Sequence, residues 1–382
     1  MSIRQFLWVG FTLLALSLAG ATLWLFSLPM PVMAQAQAVS ETERQAMLTA
    51  LQPPKRARPL VAVVGLNEAT ETTDYLLTAG TLRRADVADV FLLATGPGPV
   101  QLYPALAVHA DQTVADFDAR YPDGADYVIV PAMSRDDDPI VLTWLRAQAD
   151  KGALIIGVCA GAKVVATAGL LDGKRATTHW YYREELLEKH PLITYVPNRR
   201  MVVDHGVATT TGITASMPMM LSLIEAIGGR RKATDVAREL GMAAWDARHA
   251  SESFDFTRPF ATTVLGNTLA FWRREQIAIE LRPGMDEVSL ALMADAWSRT
   301  YRSKAVTFSA TGAAVESRHG FRIIPDENIA TKHGNHVSAL ERKPADALDQ
   351  TLADIAARYG ERTADVVAMQ LEYPGLHPGL TP

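Results

Sequence analysis

The chain has 382 residues, 48% of them apolar, enough for a substantial core and for roughly two domains of ordinary size. A formal charge of -5 and a pI near 6.0 exclude a general electrostatic drive toward nucleic acid or anionic lipid. A lone cysteine, Cys159, excludes an internal disulfide, so any role it has is that of a thiol.

Phe6 to Leu28 is an uncharged apolar run interrupted only by Thr and Ser. As a helix it would span about 35 Å against about 30 Å for a hydrocarbon core, so residues 1–34 are expected to hold an uncleaved membrane anchor. Arg4 on one flank and Glu41 and Glu43 on the other place that anchor in an inner membrane with the body on the extracytoplasmic side. The alternative is a secreted or periplasmic product, since Ala34-Gln35-Ala36 and Ala36-Gln37-Ala38 have the small residues of a cleavage site. Residues 35–58 read as a polar tether, with a short helical pattern around Glu41 to Leu51 stopped by Pro53-Pro54.

From Pro59 the pattern changes. Leu60 to Leu66 is a continuous β-branched run, as in a strand buried on both faces of a parallel sheet, and a helical pattern follows to Ala85. Strands at Val90–Ala94, Tyr127–Pro131 and Ala153–Val158 alternate with a helix at Ile140–Lys151 and another after Cys159. Late strands at Met201–Asp204 and Val207–Thr211 precede a helix from Ser216 to Ile227, closed by Gly228-Gly229. This alternation predicts a doubly wound, mainly parallel α/β domain over residues 59–229, of flavodoxin-like type, with ligands near the carboxyl ends of its strands. Residues 230–275 read as a helical connector. At 276–382 the strand, turn and helix pattern restarts, so a partial, degenerate repeat of the first domain is expected there.

The chemistry points to Gly157-Val158-Cys159-Ala160-Gly161-Ala162, directly after a strand and directly before a helix. Small residues there permit the tight turn of a nucleophile elbow, with cysteine as the nucleophile. The amino end of the following helix favours a thiolate, and the Ala160 N–H is the obvious donor to an oxyanion. Asp136-Asp137-Asp138-Pro139 reads as helix capping and His333-Gly334-Asn335-His336 as a solvated loop, in preference to metal sites. Neither a phosphate loop nor a dinucleotide fingerprint occurs, and no cofactor is expected.

Together with Ala168-Gly169-Leu170-Leu171-Asp172-Gly173-Lys174-Arg175-Ala176-Thr177-Thr178-His179-Trp180, the elbow resembles the signature of the ThiJ/PfpI family of the class I glutamine amidotransferase-like superfamily. The resemblance is nearest to amidase-like input domains of AraC-type regulators and to isocyanide hydratases. It implies Cys159 as nucleophile, His179 close by, and an acid from the first strand–helix turn. Asp74 fits that acid, protonated beside the sulfur, with Glu71 as the alternative and helix capping as the competing role for Asp74. His179 is either a general acid–base or an orienting histidine beside Trp180. Where relatives often have Pro-Gly-Gly, this chain has Pro131-Ala132-Met133, so Ala132 and Met133 are the expected further oxyanion or binding positions.

The implied function is binding of, or catalysis on, a small carbonyl, amide or isocyanide compound, with hydrolase, hydratase and glyoxalase-like outcomes all open. The alternative is a ligand- or redox-sensing regulatory module. The best imitation of a DNA reader, Ala345–Arg358 and Thr363–Leu371 around Tyr359-Gly360, lies in a segment with seven acids against four bases, so no nucleic-acid partner is expected. In the second copy Ser289 stands where Asp74 does and no cysteine occurs, which leaves packing, homodimerisation or pocket closing as its duty.

Overall fold

A computed structural model describes residues 3–68, 70–326, 336–337 and 342–373. His333 therefore lies outside the described residues.

The centre is a seven-stranded sheet made of β1 (Leu60–Gly65), β2 (Asp89–Ala94), β3 (Gln112–Thr113), β4 (Tyr127–Val130), β5 (Leu154–Gly157), β6 (Met201–Asp204) and β7 (Val207–Thr210). Its order is β6-β7-β5-β4-β1-β2-β3, and every pair is parallel except β6 with β7. The apolar runs are central strands because both faces are covered: Val61 and Val63 enter one core, Ala62 and Val64 the other. Helix α2 (Glu41–Ala50) precedes β1; on the first face lie α3 (Thr72–Ala85) and the long α6 (Ser216–Leu240), which α7 (Arg258–Leu269) follows in the chain. On the second lie α4 (Pro139–Asp150), capped by Asp138, and α5 (Gly161–Thr167).

Gly228-Gly229 does not end the Ser216 helix but breaks it. Gly229 takes φ 81° and ψ 163°, after which helix resumes to Leu240 and stops at left-handed Gly241.

The later part holds a three-stranded parallel sheet, with β8 (Glu275–Glu280) between β9 (Ser303–Phe308) and β10 (His336–Val337). Helix α8 (Glu287–Ser298) joins β8 to β9 and packs on α3, whereas α9 (Pro344–Tyr359) and α10 (Glu361–Leu371) pack on each other. A further small sheet ties the two parts together, with Arg322–Ile324 antiparallel to Ala107–His109.

The expected membrane anchor requires correction. The apolar run forms α1 (Ile3–Ser27), but among the described residues no helix is long and apolar enough to cross a membrane. The anchor, the membrane partner and the inner-membrane placement drawn from them are not retained. The end of α1 packs instead on the folded body, held by a charged side chain. Arg258 donates to the Phe26 carbonyl at 2.6 Å and lies 4.9 Å over the Phe26 ring, while Trp24 tilts against Phe256 at 6.2 Å.

Candidate functional site

Cys159 follows the carboxyl end of β5, in the middle of the sheet, at φ +56°. A left-handed backbone at a residue other than glycine is strained and persists only where neighbours enforce it. Here the Thr210 hydroxyl accepts the Cys159 N–H at 3.1 Å and the Thr178 hydroxyl donates to the Cys159 carbonyl at 3.1 Å. Two glycines let the turn close against the strands. A Cβ on Gly161 would stand 1.9 Å from the Val130 carbonyl oxygen, and one on Gly157 would stand 3.0 Å from the Ala162 Cα.

Helix α3 supplies two acids with different duties. Glu71 is the N-cap, accepting from the Asp74 N–H at 2.6 Å and from the Thr73 hydroxyl at 2.9 Å. Asp74 is thereby released from capping. Its Oδ2 accepts the Ala132 N–H at 3.0 Å, while its Oδ1 is buried without a hydrogen-bond partner. Burial, followed by the charge of Glu71, raises Asp74 well above the usual carboxylate range, so it carries its proton. The sulfur is also buried, at 4% exposure. Burial pushes the thiol up, the neighbouring acids Asp74, Glu71 and Glu372 push it further, and one hydrogen bond from the Ala160 N–H pulls the other way. Burial and neighbouring acids thus oppose the thiolate that the helix amino end favours, and α5 is short.

Cys159 and Glu71 reach a cavity of about 740 Å³ whose wall also includes Ala160, Ala132, Met133 and His179, with Asp74 buried beneath it. The profile of the DJ-1/PfpI family matches residues 61–226. This part of the chain is a DJ-1/PfpI domain. Similar proteins include the HTH-type transcriptional regulator CdhR of Pseudomonas aeruginosa, 29% identical over 47% of this chain and 52% of that protein. The isonitrile hydratase of Pseudomonas putida is 38% identical over 24% of this chain and 40% of the enzyme, and Protein dj-1beta of Drosophila melanogaster is 25% identical over 48% and 97%. The chain thus spans about half the length of the regulator and less of the hydratase.

Within the DJ-1/PfpI domain two of the expected site positions are already hydrogen-bonded, and of the two roles open to His179 the bonds match the orienting one. His179 has both ring nitrogens occupied: Nδ1 accepts the Tyr181 N–H at 3.1 Å, which makes Nε2 the protonated atom, donating to the Gln370 carbonyl at 2.9 Å. Burial lowers its basicity further, against a smaller opposing pull from Glu372. A neutral ring with both nitrogens bonded to main chain orients the Trp180–Tyr182 turn and is not placed to exchange protons with Cys159. The Ala132 N–H is likewise committed to Asp74, leaving Ala160 as the main-chain donor at the sulfur and Met133 as wall.

Other groups reach the DJ-1/PfpI cavity from far along the chain. Arg299, the C-cap of α8, donates to Glu71 at 2.8 Å across 228 residues and also bonds Asp295 at 2.8 Å. Glu71 is raised to about 7, chiefly by burial and then by Asp295, with Arg299 opposing. Burial works against the Arg299 charge, but Asp295 and Glu71 outweigh it and hold the guanidinium protonated. Glu372 accepts the main-chain N–H groups of Trp180 at 2.7 Å and Gly212 at 2.8 Å and so ties the turn after His179 to the end of α10. Thr178 lies inside the family-like motif, but nothing in that motif distinguishes its hydroxyl. The signal for Arg299 was its spacing from Asp286, which repeats that of Arg84 from Glu71. Among the described residues no cluster of three or more metal-ligating side chains occurs.

Proposed function

We propose that the DJ-1/PfpI domain binds a small electrophilic compound, a carbonyl, amide or isocyanide, and that Cys159 adds to its carbon. The observation that carries this reading is the strained elbow. It holds the sulfur at the wall of a roomy cavity beside a buried carboxyl, Asp74, whose Oδ1 has no partner. The step is an addition of S–H across the substrate's multiple bond. The S–C bond forms as one bond of the substrate's multiple bond opens, and the thiol proton passes to solvent. The protonated Asp74 carboxyl delivers its proton to the atom that gains the electron pair, and a proton from solvent restores Asp74, so that the net change is addition of S–H. The Ala160 N–H stands beside the developing charge.

To test this, the full chain is incubated with small aldehydes, amides and isocyanides while intact mass and product formation are followed. A covalent adduct or turnover that disappears in Cys159→Ser is expected. Equal behaviour of the two proteins, or no capture of any compound by wild type, removes the reading.

A second reading, a ligand sensor without turnover, is favoured by the raised thiol and by His179 having no free nitrogen. Its mark is saturable binding with no product. It needs no DNA contact by this chain, since α9 and α10 bury Leu348, Leu352, Val367 and Leu371 in the core and do not present a recognition face through those residues.

A further inference from the structure

Helices α3 and α8 face each other with matching parts. In both parts a six-residue strand leads to a helix whose N-cap is an acid, Glu71 or Asp286, and then to a second strand paired in parallel with the first over six positions. Each N-cap carboxylate accepts the amide at the third helical position, Asp74 at 2.6 Å and Ser289 at 2.8 Å. Thirteen residues beyond each N-cap stands an arginine, Arg84 or Arg299. The pairs cross: Arg84 binds Asp286 and Arg299 binds Glu71. Such reciprocity, residue i to j and j to i, is what a two-fold interface between copies of one chain displays. Gly80 allows the close approach, for a Cβ there would lie 2.9 Å from Val288.

The symmetry is broken at one place. Where α3 has Gly80, α8 has Asp295, nine residues past each N-cap. Arg299 is therefore gripped from two sides, its Nε on Asp295 and its Nη2 on Glu71, whereas the buried Nε of Arg84 has no partner. Arg299 lines the Cys159 cavity.

We propose that the second half stands in the place of a partner subunit and, across this pseudo-two-fold, supplies Arg299 as the positioning residue that fixes Glu71 and so governs the protonation of Cys159. This rests on Cys159 being the working group of the cavity, as proposed above. The groups facing Glu71 are Thr73 and Asp74 from its own helix and Asp295 and Arg299 from α8. The sulfur is faced by Asp74, Glu71 and Glu372, with Tyr182 and Arg299 also within electrostatic reach.

The symmetry provides the control. Because the full chain has one cysteine, the pH dependence of alkylation by iodoacetamide reads Cys159 alone. Loss of the cation in Arg299→Gln is expected to move the midpoint up by about one unit, and loss of the anion in Glu71→Gln to move it down. Arg299→Lys restores most of the first shift. The symmetry mates Arg84→Gln and Asp286→Asn lower the melting temperature by comparable amounts and leave the midpoint where it is. Equal shifts in a variant and its mate, or shifts of one sign for Arg299→Gln and Glu71→Gln, overturn the proposal. Should Arg299→Gln fail to fold, Glu71→Gln against Asp286→Asn decides, since glutamine keeps the cap. If these shifts occur but no electrophile is captured, the addition chemistry fails and this inference stands; capture without the shifts is the reverse case.

Discussion

Cys159, Asp74 and Glu71 form a site in which protons are held more tightly than in water. The cause is burial of several carboxyls around Arg299, a charge balance that folding can tolerate only by keeping protons bound. Asp74→Asn preserves an acceptor for the Ala132 N–H and cannot ionise, so two effects should separate. The Cys159 alkylation midpoint falls, because the emerging thiolate no longer faces a group that can itself ionise, and yet addition to an electrophile slows by about 100-fold, because the protonated carboxyl that donates is gone. Alkylation and adduct formation measured on the same variant check this, and a rise in both rates would mean that Asp74 only hinders the thiol. Stability carries the same signature. Glu71 is raised from 4.5 to about 7, so the folded state binds more protons than the unfolded chain between those values. Its contribution is present below pH 4.5 and is lost as pH rises through 7. Urea midpoints are therefore expected to decline from pH 5 to pH 7.5, less steeply in Glu71→Gln.

At the level of elements, the elbow depends on the distance between α5 and β4. Gly161→Ala places a methyl group where the Val130 carbonyl already is, and neither a buried strand end nor a helix start moves freely. A loss of about 3 kcal/mol or more is expected in denaturant unfolding, against a small effect for Gly169→Ala, where a Cβ meets nothing and only the left-handed backbone resists. Six of the seven strands of this sheet were legible in the sequence as apolar or β-branched runs, and the elbow because small residues join strand to helix; β3, a half-buried polar pair at the sheet edge, was not. The break at Gly229 was legible as an interruption but not as a resumption, since two glycines signal a stop and the packing of Ala233, Val236 and Leu240 overrides it. Of the site, Cys159 was accessible from local pattern and Asp74 only through the family resemblance. The engagement of His179 with Gln370, like that of Glu71 with Arg299, depends on partners roughly two hundred residues away; no local spacing encodes the first, and only the repeated acid-to-arginine spacing hints at the second.

For the whole molecule, the later part is an integral wall of the site rather than an appendage. Gln370, Arg299 and Tyr301 line the cavity from elements beyond the DJ-1/PfpI match, and Tyr301 does so at a strained φ of +61°. Removing residues 276–382 should therefore expose the face of α3 that meets α8 and also unbind Glu71. Self-association in light scattering and a changed Cys159 alkylation profile are expected together. A soluble, monomeric remainder with an unaltered thiol would separate the later part from the site.

In an assembly of identical subunits every substitution is made twice, so a contact beside a reactive group cannot be tuned without altering its twin. Glu71 with Arg299 and Asp286 with Arg84 are separately encoded. One crossing can be adjusted for chemistry while the other is kept for cohesion, and the exchange of glycine for Asp295 on one side alone is a change that a symmetric pair could not have made singly.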